Sequence, residues 1–201
     1  MKVGILALQG DFAEQLQAIK HCGAQAVLIK RSKQLVDIDG LIIPGGESTT
    51  IAKLASESDD AIFDTIKKKI ISGMPVYGTC MGAIFLASQI EGSAQGKLGL
   101  MSIKIRRNGY GPQQSSFESD IDLPASINSG KNNKPFHAVF IRAPIILSCS
   151  PAVEALAKLS LGSDSTTVMA RQKNILISTF HPELTDDLRI HRYFLGMIHQ
   201  T

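Results

Sequence analysis

The stretch from Pro75 to Ala87 reads PVYGTCMGAIFLA and is the most informative part of the chain about its fold. Its first three residues form an apolar run that predicts a strand, and its last five predict an apolar helix. Between the two lies Gly78-Thr79-Cys80-Met81-Gly82, a cysteine flanked by glycines at the turn from strand to helix. Such a turn is sharp, so the residues around the cysteine must be small. The stretch therefore predicts a nucleophile elbow, with a buried structural cysteine in a βα turn as the alternative.

Strands and helices alternate through the first half of the chain. Apolar runs at 3–8, 26–29 and 41–43 predict strands that are covered on both faces. Apolar residues recur at helical spacing over 12–19 and 62–70. This alternation predicts an α/β fold, a three-layer sandwich around a mostly parallel central sheet.

The second half of the chain is patterned differently. Short strands are predicted at 100–105, 116–121, 138–141, 167–170 and 175–179, as an antiparallel or mixed addition to the sheet. A closing helix is predicted from about Asp186, with Asp186 and Asp187 in a first turn that favours anions. The polar stretch 126–134 is expected to form an exposed loop. No linker interrupts the chain, so a single domain over residues 1–201 is expected.

Composition excludes several classes of function. The chain has 201 residues, 44% of them hydrophobic and 19% charged, with a net charge of only +3. That charge argues against nucleic acid, and Lys67–Lys69, the densest basic run, is expected to be a solvated helix face. Three widely spaced cysteines argue against a disulfide framework or a zinc site. With no signal segment and no apolar run of about 20 residues, no membrane contact and a cytoplasmic location are expected.

The predicted elbow has chemical consequences for Cys80. A sulfur at the start of a helix is favoured as the reactive thiolate. The backbone N–H of Met81 points to where an oxyanion would form. Both features suit a cysteine that attacks a carbonyl carbon.

A second motif, Phe180-His181-Pro182-Glu183, directly follows the predicted strand at 175–179. The residue before a proline avoids the helical region, so this segment is expected to be extended. In extended chain, residues two apart face the same side. His181 and Glu183 can then act as a general base and the carboxylate that orients it.

A third motif, Pro44-Gly45-Gly46-Glu47-Ser48-Thr49-Thr50, leaves one strand and enters a helix. Glycines let backbone N–H groups approach a ligand closely. The segment lacks the lysine of a P-loop. Phosphate binding, completion of an oxyanion hole with binding of a substrate carboxylate, and helix capping by Ser48 or Thr49 all remain open.

In these three motifs the chain resembles the class I glutamine amidotransferases, which implies a flavodoxin-like fold. Further segments resemble the family of glutaminase subunits of pyridoxal 5′-phosphate synthases. These are Leu8-Gln9-Gly10, Pro-Gly-Gly-Glu-Ser-Thr-Thr at 44–50, Arg107-Asn108, Ser116-Phe117-Glu118, Phe140-Ile141-Arg142-Ala143-Pro144 and Phe180-His181-Pro182-Glu183-Leu184-Thr185. Methionine at position 81 departs from the alanine of many relatives and is expected to crowd the pocket or the partner face.

The resemblance implies a division of labour between two subunits. This chain would hydrolyse L-glutamine to glutamate and ammonia with a triad of Cys80, His181 and Glu183, and a synthase subunit would consume the ammonia to make pyridoxal 5′-phosphate. No cofactor and no metal are expected. The implied glutamine-binding residues are Gly46, Glu47, Ser48, Arg107, Ile141 and Arg142; Gly46 and Met81 would form the oxyanion hole; Gln9 and Gly10 would respond to the partner.

Three other functions stay open at this point. The chain could serve another pathway, for example as the glutaminase subunit of imidazole glycerol phosphate synthase. It could be a cysteine peptidase or chaperone-like protein with a related elbow, or a binding subunit without activity. Two of the five histidines, His191 and His199, are expected to be surface or capping residues.

Overall fold

A computed structural model of the protein describes residues 1–46, 60–93, 95–111, 116–128, 134–162 and 164–200. The strands in these ranges are β1 (Lys2–Leu6), β2 (Gln25–Ile29), β3 (Gly40–Ile43), β4 (Val76–Thr79), β5 (Ala87–Ile90), β6 (Met101–Arg106), β7 (Ser116–Ile121), β8 (Phe136–Ile141), β9 (Ile145–Cys149), β10 (Glu154–Leu161), β11 (Asp164–Gln172) and β12 (Ile175–Ser178). The helices are α1 (Phe12–His21), α2 (Ile62–Ile71), α3 (Met81–Leu86) and α4 (Arg189–His199), with 3₁₀ turns at Ser32–Leu35 and Pro182–Leu184.

A seven-stranded sheet in the order β10-β11-β12-β4-β3-β1-β2 forms the middle of the molecule. The five strands from β12 to β2 are parallel to one another, and β11 and β10 continue the sheet antiparallel. Strands β5, β6 and β9 form a small second sheet, and β7 pairs with β8. The predicted mostly parallel central sheet is confirmed.

Helices cover both faces of this sheet. Alternate residues of β3 pack into two hydrophobic cores, one on each face of the sheet. Leu41 and Ile43 pack with α2 and α3, whereas Ile42 packs with α1 and α4. Strand β12 divides in the same way, with Leu176 on the α1 and α4 side. The predicted three-layer sandwich is therefore confirmed, and its physical basis is the two-residue period of a doubly covered strand.

Several boundaries in the second half differ from the predictions. Strands β5, β9 and β10 were not predicted, and Ala87 begins β5 instead of ending the elbow helix. Five of the eight residues of β10 are alanine or leucine, which favour helices, and only pairing with β11 makes it a strand. Of the polar stretch, 129–133 lies outside the described residues, and Ile127 is buried rather than exposed.

The closing helix α4 begins at Arg189, so the prediction that Asp186 and Asp187 lie in its first turn was wrong. Asp187 instead sits ahead of the helix, where its Oδ1 accepts a hydrogen bond from the backbone N–H of Arg189 at 3.0 Å. In the lysine run of α2, Lys67 and Lys68 are exposed, as expected, and Lys69 is partly buried. Within the described ranges, no helix is long and apolar enough to cross a bilayer.

The carboxyl ends of four adjacent parallel strands define one edge of the sheet. Strands β12, β4, β3 and β1 lie side by side, and His181, Cys80, Gly46 and Asp11 follow them in the chain. In open α/β sheets, ligands bind in the crevice outside the carboxyl ends of the strands. The functional site is therefore expected at this edge.

Candidate active site

Cys80 occupies a strained elbow between β4 and α3. Its backbone φ is +48°, a conformation that residues with a Cβ rarely adopt and that costs about 1–3 kcal/mol. The flanking glycines make the turn possible, because a Cβ on Gly78 would lie 2.7 Å from the backbone of Gly82, and one on Gly82 would overlap the carbonyl oxygen of Ile43. The predicted nucleophile elbow is thus present in the structure.

His181 and Glu183 meet at the end of β12, although not by the predicted route. The sequence suggested an extended His-Pro-Glu segment, whereas Pro182–Leu184 forms a 3₁₀ turn directly after His181. The turn brings Nδ1 of His181 to 2.9 Å from Oε1 of Glu183. Proline tolerates the first turn of a helix because its missing N–H has no partner there, so the prediction of an extended segment was wrong while the pairing it proposed is formed.

The charge state of His181 follows from its surroundings. Burial disfavours the imidazolium, but hydrogen bonds to Asp11, Cys80 and Glu183 outweigh burial and raise the pKa of His181 to about 12. Burial also raises the pKa of Glu183, while the hydrogen bond from His181 opposes this. Because both carboxylates bond to Nδ1, Nε2 is the ring nitrogen left for Cys80. The arrangement favours an imidazolium beside the Cys80 sulfur.

A pocket of about 210 Å³ opens over Cys80. Drug-sized ligands occupy roughly 300–1,000 Å³, so this pocket suits a smaller molecule of amino-acid size. Two arginines, Arg107 and Arg142, line it and offer positive charge to a carboxylate. The full lining is Asp11, Gly46, Cys80, Met81, Ile84, Arg107, Asn108, Ile141, Arg142 and His181.

Comparison with known proteins identifies the family of the chain. Residues 5–200 match the sequence profile of the SNO glutamine amidotransferase family. The chain belongs to the SNO glutamine amidotransferase family.

Relatives within this family are similar over nearly the whole chain. A pyridoxal 5′-phosphate synthase subunit PdxT from Carboxydothermus hydrogenoformans is 50% identical over 198 residues, covering 98% of both chains. The protein of that name from Thermotoga maritima is 45% identical, covering 98% of this chain and 100% of the relative. A solved glutamine amidotransferase superimposes with a TM-score of 0.86 at 44% identity, covering 98% of both chains.

The structure places most of the predicted site residues of this amidotransferase in one pocket. Gly46, Met81, Arg107, Ile141 and Arg142 all line it beside Cys80 and His181. The neighbouring Arg106 points elsewhere and pairs with Glu91. Glu47 and Ser48 lie outside the described residues.

The segment Gln9–Gly10 packs directly against the glycine loop after β3. A Cβ on Gly10 would overlap the carbonyl oxygen of Gly45, and Gly10 has a φ of +94°. The same oxygen accepts a hydrogen bond from the N–H of Asp11 at 3.3 Å. The C=O and the following N–H of a trans peptide point in opposite directions. The N–H of Gly46 is therefore directed away from Gly10.

Three pocket residues were not predicted from the sequence: Asp11, Ile84 and Asn108. Asn108 has a φ of +46° and Arg142 a φ of +43°, so two loops hold strained residues at the pocket wall. Strain of this kind clusters at functional sites. The sequence around Asp11 does not predict a place in the pocket, because an aspartate immediately before a helix is usually an N-cap.

A buried polar chain supports the elbow and the glycine loop from below. His191 Nε2 bonds to Gln15 Oε1 at 3.0 Å, and Gln15 Nε2 donates to Thr79 Oγ1 at 3.4 Å. Thr79 Oγ1 also accepts the N–H of Gly45 at 3.0 Å. His191 is fully buried, so the prediction that it is a surface or capping residue was wrong. These hydrogen bonds hold the side chain of Thr79 in place, and Thr79 directly precedes Cys80.

Burial of His191 makes stability depend on pH. Burial lowers its pKa from 6.5 to about 4, so between these values the unfolded chain binds a proton that the folded chain does not. Stability is therefore complete above pH 6.5 and is lost as the pH falls toward 4, by roughly 2–3 kcal/mol. We expect urea unfolding at pH 7 and pH 4.5 to show this loss, and His191→Gln to reduce it.

The matched control for this prediction is His199→Gln, on the exposed end of the same helix. It should keep the pH dependence of the unmodified protein. An unchanged difference between pH 7 and pH 4.5 in His191→Gln would assign the acid loss to other groups.

Asp11, His181 and Glu183 are also the described residues with a spacing that could suit a metal ion, with donor atoms within 4.8 Å of one another. The sequence led us to expect no metal, and the spacing arises because the fold brings the segments after β1 and β12 to the same edge of the sheet. Ion pairs of the imidazole with the two carboxylates account for the same spacing.

Proposed function

We propose that this protein is the glutaminase subunit of a pyridoxal 5′-phosphate synthase, hydrolysing L-glutamine to L-glutamate and ammonia. The observation that carries the proposal is Cys80, strained at φ +48° and lining one pocket with His181, whose Nδ1 lies 2.9 Å from Glu183. That constellation suits acyl transfer from a carboxamide. Membership of the amidotransferase family and the names of its 45–50% identical relatives support the substrate and the pathway.

The proposed reaction begins with attack of the Cys80 thiolate on the side-chain amide carbon of glutamine. The N–H groups of Met81 and Gly46 stabilise the oxyanion, each donor contributing roughly 3–4 kcal/mol in comparable enzymes. His181 gives its proton to the departing nitrogen, which leaves as ammonia and a thioester remains. His181 then takes a proton from water, which attacks the thioester and releases glutamate and the thiolate. Glu183 holds the imidazole throughout.

In this proposal, residues that line the pocket recognise the substrate. Arg107 and Arg142 provide charge for the α-carboxylate of glutamine, and Gly46 and Ile141 provide its walls. Glu47 and Ser48 complete the glutamine site. No cofactor takes part, and neither nucleic acid nor a membrane is a partner.

The proposed partner is the synthase subunit that consumes the ammonia, in a hetero-oligomeric complex in the cytoplasm. Gln9 and Gly10 are the proposed link to that partner, because Gly10 packs against the carbonyl of Gly45 beside the oxyanion loop. We further propose that residues 1–201 form one domain, since both hydrophobic cores share the central sheet.

Ammonia release from L-glutamine is the measurement that tests this function. We expect slow release by the isolated chain and at least a tenfold increase on adding the pyridoxal 5′-phosphate synthase subunit, which corresponds to about 1.4 kcal/mol of barrier. The physical reason is that a partner contact at Gln9–Gly10 can order the adjoining glycine loop.

The cyclase subunit of imidazole glycerol phosphate synthase serves as the control partner. Stimulation by that subunit alone would move the glutaminase to the other pathway. Equal release with and without either partner would contradict the proposed coupling, and cleavage of peptides in place of glutamine would favour a peptidase.

A further inference from the structure

Asp11 stands where a helix cap is expected but does not cap. Aspartate is among the preferred residues immediately before a helix because its carboxylate accepts a backbone N–H of the first turn. Asp11 directly precedes α1, yet its side chain makes no such bond. Its Oδ2 lies instead 3.2 Å from Nδ1 of His181. The contact of this side chain is therefore with the imidazole.

Two carboxylates consequently share one ring nitrogen. Nδ1 of His181 lies 2.9 Å from Glu183 and 3.2 Å from Asp11. The two differ in solvation, because the Glu183 side chain is 0% exposed and that of Asp11 is 38% exposed. Burial raises the pKa of Glu183, whereas the hydrogen bond with His181 lowers the pKa of Asp11. Asp11 is thus the carboxylate that more readily carries full negative charge.

The glycine loop after β3 leaves room for this contact. A Cβ on Gly45 would overlap Cε1 of His181 and lie 3.0 Å from Oδ2 of Asp11. The N–H of Asp11 donates to the carbonyl oxygen of Gly45, which fixes the backbone that presents the carboxylate. Segments after β1, β3 and β12 therefore hold the acid and the imidazole together.

We propose that Asp11 is a positioning residue that shares the Nδ1 proton of His181 with Glu183 and keeps the imidazole protonated opposite the Cys80 thiolate. This inference rests on the proposed function for its catalytic meaning, and extends the triad to a second carboxylate. Two further charged side chains, Arg107 and Arg142, line the same pocket as His181. Their positive charge disfavours the imidazolium form of His181.

Alkylation of Cys80 by iodoacetamide as a function of pH tests the inference without glutamine. The background is Cys22→Ala with Cys149→Ala, which leaves Cys80 as the single thiol. An opposite charge within about 4–6 Å shifts the pKa of an ionisable group by roughly 1–3. In Asp11→Asn we expect the upper step of this profile, where the imidazolium loses its proton and the sulfur loses its ion-pair partner, to move about one unit lower in pH, because Asp11 no longer stabilises the imidazolium. Asp11→Glu should restore much of the original profile.

The steady-state readout is the pH profile of glutamine hydrolysis in the complex with the synthase subunit. In Asp11→Asn the high-pH limb of kcat should move about one unit lower, since the imidazolium donates the proton to ammonia. KM should stay within about twofold, because Asp11 acts through His181. A structural role alone would leave both pH profiles in place.

Glu14→Gln, which removes an exposed charge one turn along the same helix, is the matched control and should leave the alkylation profile unchanged. Asparagine at 11 should keep a single cooperative urea transition, which shows that the fold is intact. Coincident alkylation profiles for Asp11→Asn and its parent would overturn the inference. A shifted profile in a protein that releases no ammonia would support the role of Asp11 and refute the proposed function.

Discussion

Replacing Cys80 with alanine is expected to lower ammonia release from glutamine by at least about 10⁴-fold, since no other group can form the thioester. The fold should survive. Alanine keeps the Cβ and therefore the same backbone strain at φ +48°, and the lost sulfur leaves only a small cavity worth about 1 kcal/mol. Ammonia release in the synthase complex measures the first effect, and urea unfolding measures the second.

Cys22→Ala is the control for this prediction, because Cys22 is a free thiol remote from the pocket lining. It should retain the turnover of the unmodified protein. Substantial turnover in Cys80→Ala would remove Cys80 from the mechanism, and with it the interpretation of the elbow.

Replacing Gly82 with alanine should strongly lower the free energy of unfolding. Its Cβ would overlap the carbonyl oxygen of Ile43, which belongs to the backbone at the end of β3, is paired with β4 and has little freedom to move. Crowding a packed core costs roughly 1–3 kcal/mol, and we expect a value at or above the top of that range. The helix α3 must shift away from β3, so turnover should fall with stability.

Gly196→Ala provides the matched comparison, because a Cβ at this position of α4 meets nothing within 4 Å. Alanine there should be neutral or stabilise the helix by about 0.5–1 kcal/mol. Urea unfolding of both variants measures the two effects. Equal unfolding free energies for Gly82→Ala and the unmodified protein would show that α3 is not pressed against β3 as described.

The conformation of the elbow could be predicted from local sequence. Gly78 and Gly82 around Cys80 predicted a sharp strand-to-helix turn, and the structure holds that turn at a positive φ. The pairing of His181 with Glu183 was predicted as well, but through extended chain rather than the 3₁₀ turn at 182–184. A spacing of two residues limits how far apart the side chains can be. It does not fix the backbone between them.

Misjudged elements share a different cause. Strand β10 has the composition of a helix and becomes a strand only by pairing with β11. His191 lies on a helix whose pattern allows either face, and Gln15, 176 positions away in the chain, provides its buried partner. Local propensity is a weak prior that tertiary contacts override.

Periodicity, glycine spacing and short motifs are properties of neighbouring residues, so the layered α/β fold, the elbow and the family could be predicted from the sequence. The contact of Asp11 with His181 and the burial of His191 could not be predicted, because they form only in the folded molecule. Those contacts depend on the order of strands β12, β4, β3 and β1 in the sheet. Strand order places residues from distant parts of the chain at one edge, and no local pattern specifies it.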